Sequence, residues 1–159
     1  MKTKSGITLA MLVLTVIIMT ILVTITVING GNSYDRAIKT GLQVEINQIE
    51  ILANNYVVRN SVNDFEEVVL DISTYSDKEK AQFADETITD NKIVLYVLDL
   101  EAIDAHEVNY GAGKNGENDR YLYSKETKKV YYEKGLEVDG VVYHRIDSVE
   151  VSEWNKKME

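Results

Sequence analysis

The sequence predicts an α+β fold: a long N-terminal helix followed by a small C-terminal antiparallel sheet. Three observations point there. Ile7 to Ile28 is an uninterrupted apolar run without a charged residue, and helical periodicity returns between Tyr34 and Tyr56. From Lys92 onward the chain turns to short β-branched and tyrosine-rich runs separated by glycine-containing turns. Helix first and meandering strands last is the pattern of an α+β domain.

The apolar run is too long for an ordinary secretory signal, whose core is about 7–15 residues. Over residues 7–28 a helix would reach roughly 33 Å, about one bilayer core. Thr15, Thr20, Thr24 and Thr26 do not prevent insertion, because a helical threonine hydroxyl bonds a carbonyl one turn back. The run is rich in β-branched residues, but in lipid the backbone must satisfy its own hydrogen bonds, and helix results. Lys2 and Lys4 precede the run, which places the N-terminus on the cytoplasmic side and the remainder outside.

Asn29-Gly30-Gly31-Asn32 marks a kink or a break, since each helical glycine costs about 1 kcal/mol relative to alanine. Beyond it, Tyr34, Ile38, Leu42, Ile49, Leu52 and Tyr56 recur at three-, four- and seven-residue spacings and form one apolar face. Arg36, Lys39, Gln43, Glu50 and Asn54 fall on the other faces. The segment 61–90 reads as short helices and loops. Asp64 is placed to cap a helix over Phe65–Ile72, with Phe65, Val68, Val69 and Ile72 on one face. Ser76 and Glu79 form a capping box.

"KIVLYVLDL" reads as a buried strand. "LEAIDAHEV" reads as a short helix capped by Asp99, and "NYGAGKNGEND" as a loop. "RYLYS" and "KVYYE" form a hairpin, another strand follows a turn at Asp139-Gly140, and Trp154 folds back onto the domain.

Composition narrows the function. The net charge is −9 and sequence pI about 4.8, so direct nucleic-acid binding is not expected. The chain has no cysteine, hence no disulfide and no thiolate metal site. His106 and His144 lack metal-ligand spacing, and no Ser-His-Asp arrangement or Gly-x-Ser-x-Gly elbow is recognisable. "GAGKNG" lacks the Walker spacing. "NGEND" at 115–119 offers oxygen ligands without the EF-hand pattern. The ten tyrosines read chiefly as strand residues. No catalytic residue, metal or cofactor is expected.

The junction "KTKSG" then "ITLAMLV" resembles the class III signal of type IV prepilins and type II secretion pseudopilins, closest to their Gram-positive forms. The C-terminal "NGENDRYLYSKETKKVYY" and "GLEVDGVVYH" resemble heads that follow such leaders. The resemblance covers roughly residues 1–58 and 93–146. It implies a leader over 1–6, cleavage between Gly6 and Ile7 by a prepilin peptidase, and N-methylation of Ile7. It further implies a membrane and polymerisation helix over 7–28, an outer helix over 29–60 and a globular head over 61–159. The implied protein is a non-enzymatic subunit of a pilus or secretion-type filament at the cell surface. Its partners would be other pilin or pseudopilin subunits, the prepilin peptidase, the membrane assembly platform and, before assembly, lipid. The family usually has glutamate at the fifth mature position, here Met11, which points to a minor or initiating subunit. The alternative is a single-pass anchored protein with an extracellular binding or sensing domain.

Overall fold

The structure, a computed structural model, describes the backbone of residues 3–147 and the side chains of residues 12–19 and 33–147. Contacts divide the chain into two units, with the boundary between Ile38 and Lys39. The described architecture is α+β, with a long helix and small antiparallel sheets.

Helix α1 spans Thr3–Arg59 and runs through Gly30 and Gly31 without a break. Of the kink or break expected there, the break does not occur. Two glycines weaken a helix by about 2 kcal/mol, too little to interrupt one of 57 residues. The helix also begins ahead of Gly6, where the sequence placed its start just after that residue. In the first unit, every residue of Leu12–Met19 is exposed, and the Thr15 hydroxyl donates to the Leu12 carbonyl at 2.8 Å. Among the described residues, no helix is long and apolar enough to cross a membrane. The span expected at 7–28 falls largely on residues whose side chains lie outside those described.

In the second unit, β1 (Glu66–Asp71), β2 (Lys92–Val97), β3 (Tyr121–Tyr123) and β4 (Val130–Tyr132) form an antiparallel sheet in sequential order. Strands β5 (Leu136–Val138) and β6 (Val141–Tyr143) form a separate hairpin. Val138 pairs with Val141, so Asp139 and Gly140 are a two-residue loop, with φ of 54° and 70°. Two positive φ values define the type I′ turn that Asp-Gly favours.

Alternation along β3 and β4 sends their side chains to two cores. Tyr121, Tyr123, Val130 and Tyr132 pack against Leu42, Ile46, Ile49 and Ala53 of α1. Leu122 and Tyr131 face the other way, joining Leu70, Ile72, Ile93, Leu95 and Phe83. The sheet is thus covered by the outer half of α1 on one side and by the segment around Phe83 on the other. Strand β2 is buried on one face only: Ile93 and Leu95 are inside, while Val94 is 52% exposed.

Residues 65–72 depart from the helix expected of them. A 3₁₀ turn over Val62–Asp64, capped by Ser61, leads directly into β1. Val68, Val69 and Ile72 satisfy a helical spacing, but pairing decides: all six residues of β1 register with β2, from Glu66↔Val97 to Asp71↔Lys92. The capping box at Ser76 and Glu79 is present on α2 (Asp77–Ala81). Asp99 accepts from Glu101 N and Ala102 N, yet only turns follow, so the helix expected over residues 100–108 is absent. Trp154 lies outside the described residues.

The apolar face of α1 is also partly reassigned. Leu42 and Ile49 are buried, and Leu52 and Tyr56 pack against the core, but Tyr34 is exposed. Lys39 and Gln43, expected on outer faces, are buried. The Lys39 ammonium lies 4.5 Å from the Tyr143 ring centroid and donates to its hydroxyl at 3.1 Å.

Candidate functional site

Gly6 and Ile7, the positions at which the resemblance led us to expect processing, lie within helical backbone near the start of α1. Their side chains, and that of Met11, fall outside those described. The described polar groups that converge lie in the second unit, and they are built around the hairpin tyrosines.

The hydroxyls of Tyr121, Tyr123, Tyr131 and Tyr132 donate to three different segments. Tyr121 donates to Glu45 of α1 at 2.8 Å, and Tyr123 to Asn54 of α1 at 2.8 Å. Tyr132 donates to Asp119 at 2.8 Å, and Tyr131 to Glu86 at 2.7 Å. The chain needs these contacts because a buried hydroxyl without an acceptor is costly. Burial, followed by the adjoining carboxylates, pushes Tyr121, Tyr131 and Tyr132 well above the ordinary tyrosine range.

The three carboxylates are loaded with further donors. Glu45 accepts from Asn109 N at 3.0 Å, Asn109 Nδ2 at 2.8 Å and Tyr110 N at 2.9 Å. Glu86 also accepts from the Ser124 and Thr127 hydroxyls. Asp119 accepts from Gly111 N at 2.7 Å and Asn115 N at 2.8 Å. Burial works to raise the Asp119 carboxyl, but bonds from Asn115, Tyr132 and Gly111 outweigh it and bring it down to about 2. Asn115 and Asp119 of "NGEND" therefore meet as donor and acceptor rather than as converging cation ligands. Among the described residues, no group of three or more metal-ligating side chains comes together.

Gly111 has φ of 73°, and a Cβ there would lie 2.2 Å from the Tyr121 ring. Only glycine lets the loop close over that tyrosine while aiming its N–H at Asp119.

The two histidines differ. His106 pairs with Asp104 at 2.6 Å on the surface. His144 is buried, stacks on Tyr75 at 4.9 Å between centroids, and lies 5.4 Å from Phe83. Its Nδ1 is 2.9 Å from the Tyr132 carbonyl, so Nδ1 carries the proton of the neutral ring. Nε2 has no hydrogen bond among the described residues and lies 3.8 Å from the Glu79 carboxylate of α2. Burial lowers the imidazole's pKa, against the opposing pull of the Tyr132 carbonyl and Glu79. The sign follows from linkage: below about pH 6.5 the unfolded chain takes up a proton that the folded chain resists. Stability should therefore fall as pH drops from 7.5 to 5.5. In melts of the intact chain in detergent micelles, His144→Gln should lose part of that pH dependence. An identical pH profile for variant and native protein would show that His144 does not contribute.

Glu50 of α1 receives Val130 N at 3.2 Å and the Arg145 guanidinium, which also donates to Asp147 at 2.9 Å. These contacts tie the end of the described chain to α1. An open groove of about 460 Å³ lies between Glu86, Thr89, Lys92, Val94, Tyr96 and Lys125. Neither histidine lines this groove.

Sequence reasoning missed Glu45, Glu86 and Asp119 because it placed charges on the outside. The available signal was the number of tyrosines in a chain without disulfides, since each buried hydroxyl needs an acceptor. Comparison of the chain with family models, curated proteins and solved structures finds no match in any of the three.

Proposed function

We propose that the protein is a non-enzymatic, pilin-like or pseudopilin subunit of a type IV pilus or type II secretion-like filament. Its membrane partners would be prepilin peptidase and the assembly platform. The supporting observation is the character of α1. Over Leu12–Met19 it exposes aliphatic side chains on every side, and it continues without interruption to Arg59. A helix that is apolar all round requires lipid or other helices around it. In a filament subunit it would exchange the first for the second, while its outer half remains the core helix of an α+β head. The basic leader ending at Gly6 adds the expected processing site, with Ile7 as the new, methylated N-terminus. Met11 in place of the usual glutamate favours a minor or initiating position.

Mass spectrometry of protein from cells with active prepilin peptidase should find the N-terminus at Ile7. Gly6→Leu should abolish that processing completely and leave membrane insertion intact. A native protein that retains Met1 in such cells would instead support an anchored extracellular domain.

A further inference from the structure

Strand β2 carries a gap in its ladder. Lys92 exchanges both backbone hydrogen bonds with Thr89, at 2.9 and 3.0 Å, and Leu98 N donates to the Tyr121 carbonyl at 2.9 Å. Backbone groups of an antiparallel strand point to the same side at every second residue, so those of Val94 and Tyr96 face that way too. Tyr96 meets Tyr123 of β3. Continued in register, β3 would bring Lys125 opposite Val94, but the chain turns away at Ser124, whose hydroxyl donates to Glu86. Among the described residues, nothing pairs with the Val94 backbone on that side. The Val94 side chain is half exposed, and it lines the open groove of about 460 Å³.

The described chain ends beside this groove and is aimed at it. The Gln82 side chain accepts from His144 N and Arg145 N. Tyr132 N donates to the His144 carbonyl, and the Arg145 guanidinium donates to the Val130 carbonyl. Residues 144–147 therefore run antiparallel to β4, toward the turn that joins β3 to β4. Asp147 borders a small polar hollow of about 120 Å³, shared with Ala84, Asp85 and Lys129. The groove begins at the next residues, Glu86 and Thr87, and Lys125 and Glu126 of that turn also line it. Residues 148–159 follow Asp147, and they carry Val149, Val151 and the one tryptophan of the chain, Trp154. Extended at about 3.3 Å per residue, residues 148–154 reach roughly 23 Å.

We propose that segment 148–159 is a strap that docks in this groove of its own chain. Its backbone fills the gap beside Val94, and Trp154 covers Val94 and Tyr96. Tethering selects the occupant. A segment anchored at Asp147 competes at an effective concentration that a separate molecule does not reach. The residue types agree with the site: valines at alternate positions favour extended backbone, and a tryptophan suits an apolar surface with a polar rim. Unpaired strand backbone is a template for pairing with other chains, and the strap closes it from within. The inference does not depend on the filament reading.

The cysteine-free chain makes the test direct. Val94→Cys is combined with Ser152→Cys in the intact protein in its native membrane. Val44→Cys with Ser152→Cys is the control, since Val44 is 59% exposed on α1. Copper-phenanthroline oxidation should give an intramolecular disulfide in the first pair at least several-fold above the second. Equal yields would overturn the strap. Disulfide dimers in place of the intramolecular bond would place another copy's segment in the groove, and adducts with a different protein would assign it to a partner. Either result overturns docking within one chain. Trp154 supplies a second readout. In the purified chain in micelles, acrylamide should quench its fluorescence several-fold less than in urea. Val94→Arg should remove that protection and leave the circular dichroism unchanged. Equal quenching in folded and unfolded protein, or protection that survives Val94→Arg, would overturn the role of the groove.

Discussion

Glu45→Ala should destabilise the second unit by roughly 3–5 kcal/mol, a large share of the 5–15 kcal/mol typical of a domain. Glu45 is on α1, and its carboxylate receives two backbone N–H groups, an asparagine amide and the Tyr121 hydroxyl. Alanine removes every acceptor at once and leaves the donors of residues 109, 110 and 121 without a partner. Glu45→Gln keeps one oxygen and should lose less. Urea unfolding followed by circular dichroism measures both. A loss below about 1 kcal/mol for alanine would mean that water replaces the carboxylate and that loop 109–119 is not fastened to α1 through it.

The second large effect is expected at Asp119. Asp119→Ala should cost about 3–4 kcal/mol, because Gly111 N, Asn115 N and the Tyr132 hydroxyl all lose their acceptor. Asp119→Asn should cost less. One oxygen can still serve Gly111 and Tyr132, but the amide NH₂ would then face the Asn115 N–H, donor against donor. Acid sensitivity separates this carboxylate from a merely packed residue. Its pKa is held down to about 2, below the unfolded value near 4, so its contribution is complete above about pH 4. That contribution is lost as pH falls toward 2. The native protein should therefore lose stability across that window more steeply than Asp119→Asn does. Parallel acid titrations of the two proteins would refute the role.

Much of the fold was legible because local chemistry and tertiary context agree there. Asp139-Gly140 demands a tight turn, Ser76 and Glu79 demand a cap, and the tyrosine-rich runs around 121–132 form the expected hairpin. The misses share a cause in long-range partners. Residues 66–71 satisfy a helical spacing, but β2 offers six paired positions, and sheet pairing prevails. Asp99 caps a turn where a helix was expected, and nothing propagates a helix beyond it. Gly30 and Gly31 are weak helix residues that the surrounding helix carries. Glu45, Glu86 and Asp119 are charges that no amphipathic pattern places inside; they are inside because tyrosines distant in sequence need acceptors. The burial of Lys39 and Gln43 on α1 emerged only once the sheet-facing side of that helix was known.

The sequential order of β1 to β4 has a consequence for how the second unit would fold. Each strand pairs with its nearest neighbour along the chain, so the sheet can grow by successive short closures. The chain contains neither proline nor cysteine, and nothing in it waits on prolyl isomerisation or on oxidation. The long closure is α1 onto the sheet, where Glu45 meets Tyr121 across 76 residues. Bringing such distant segments together carries the larger entropic cost and falls late. The second unit would assemble its meander first and close onto α1 last, with no need of a prolyl isomerase or a disulfide oxidant.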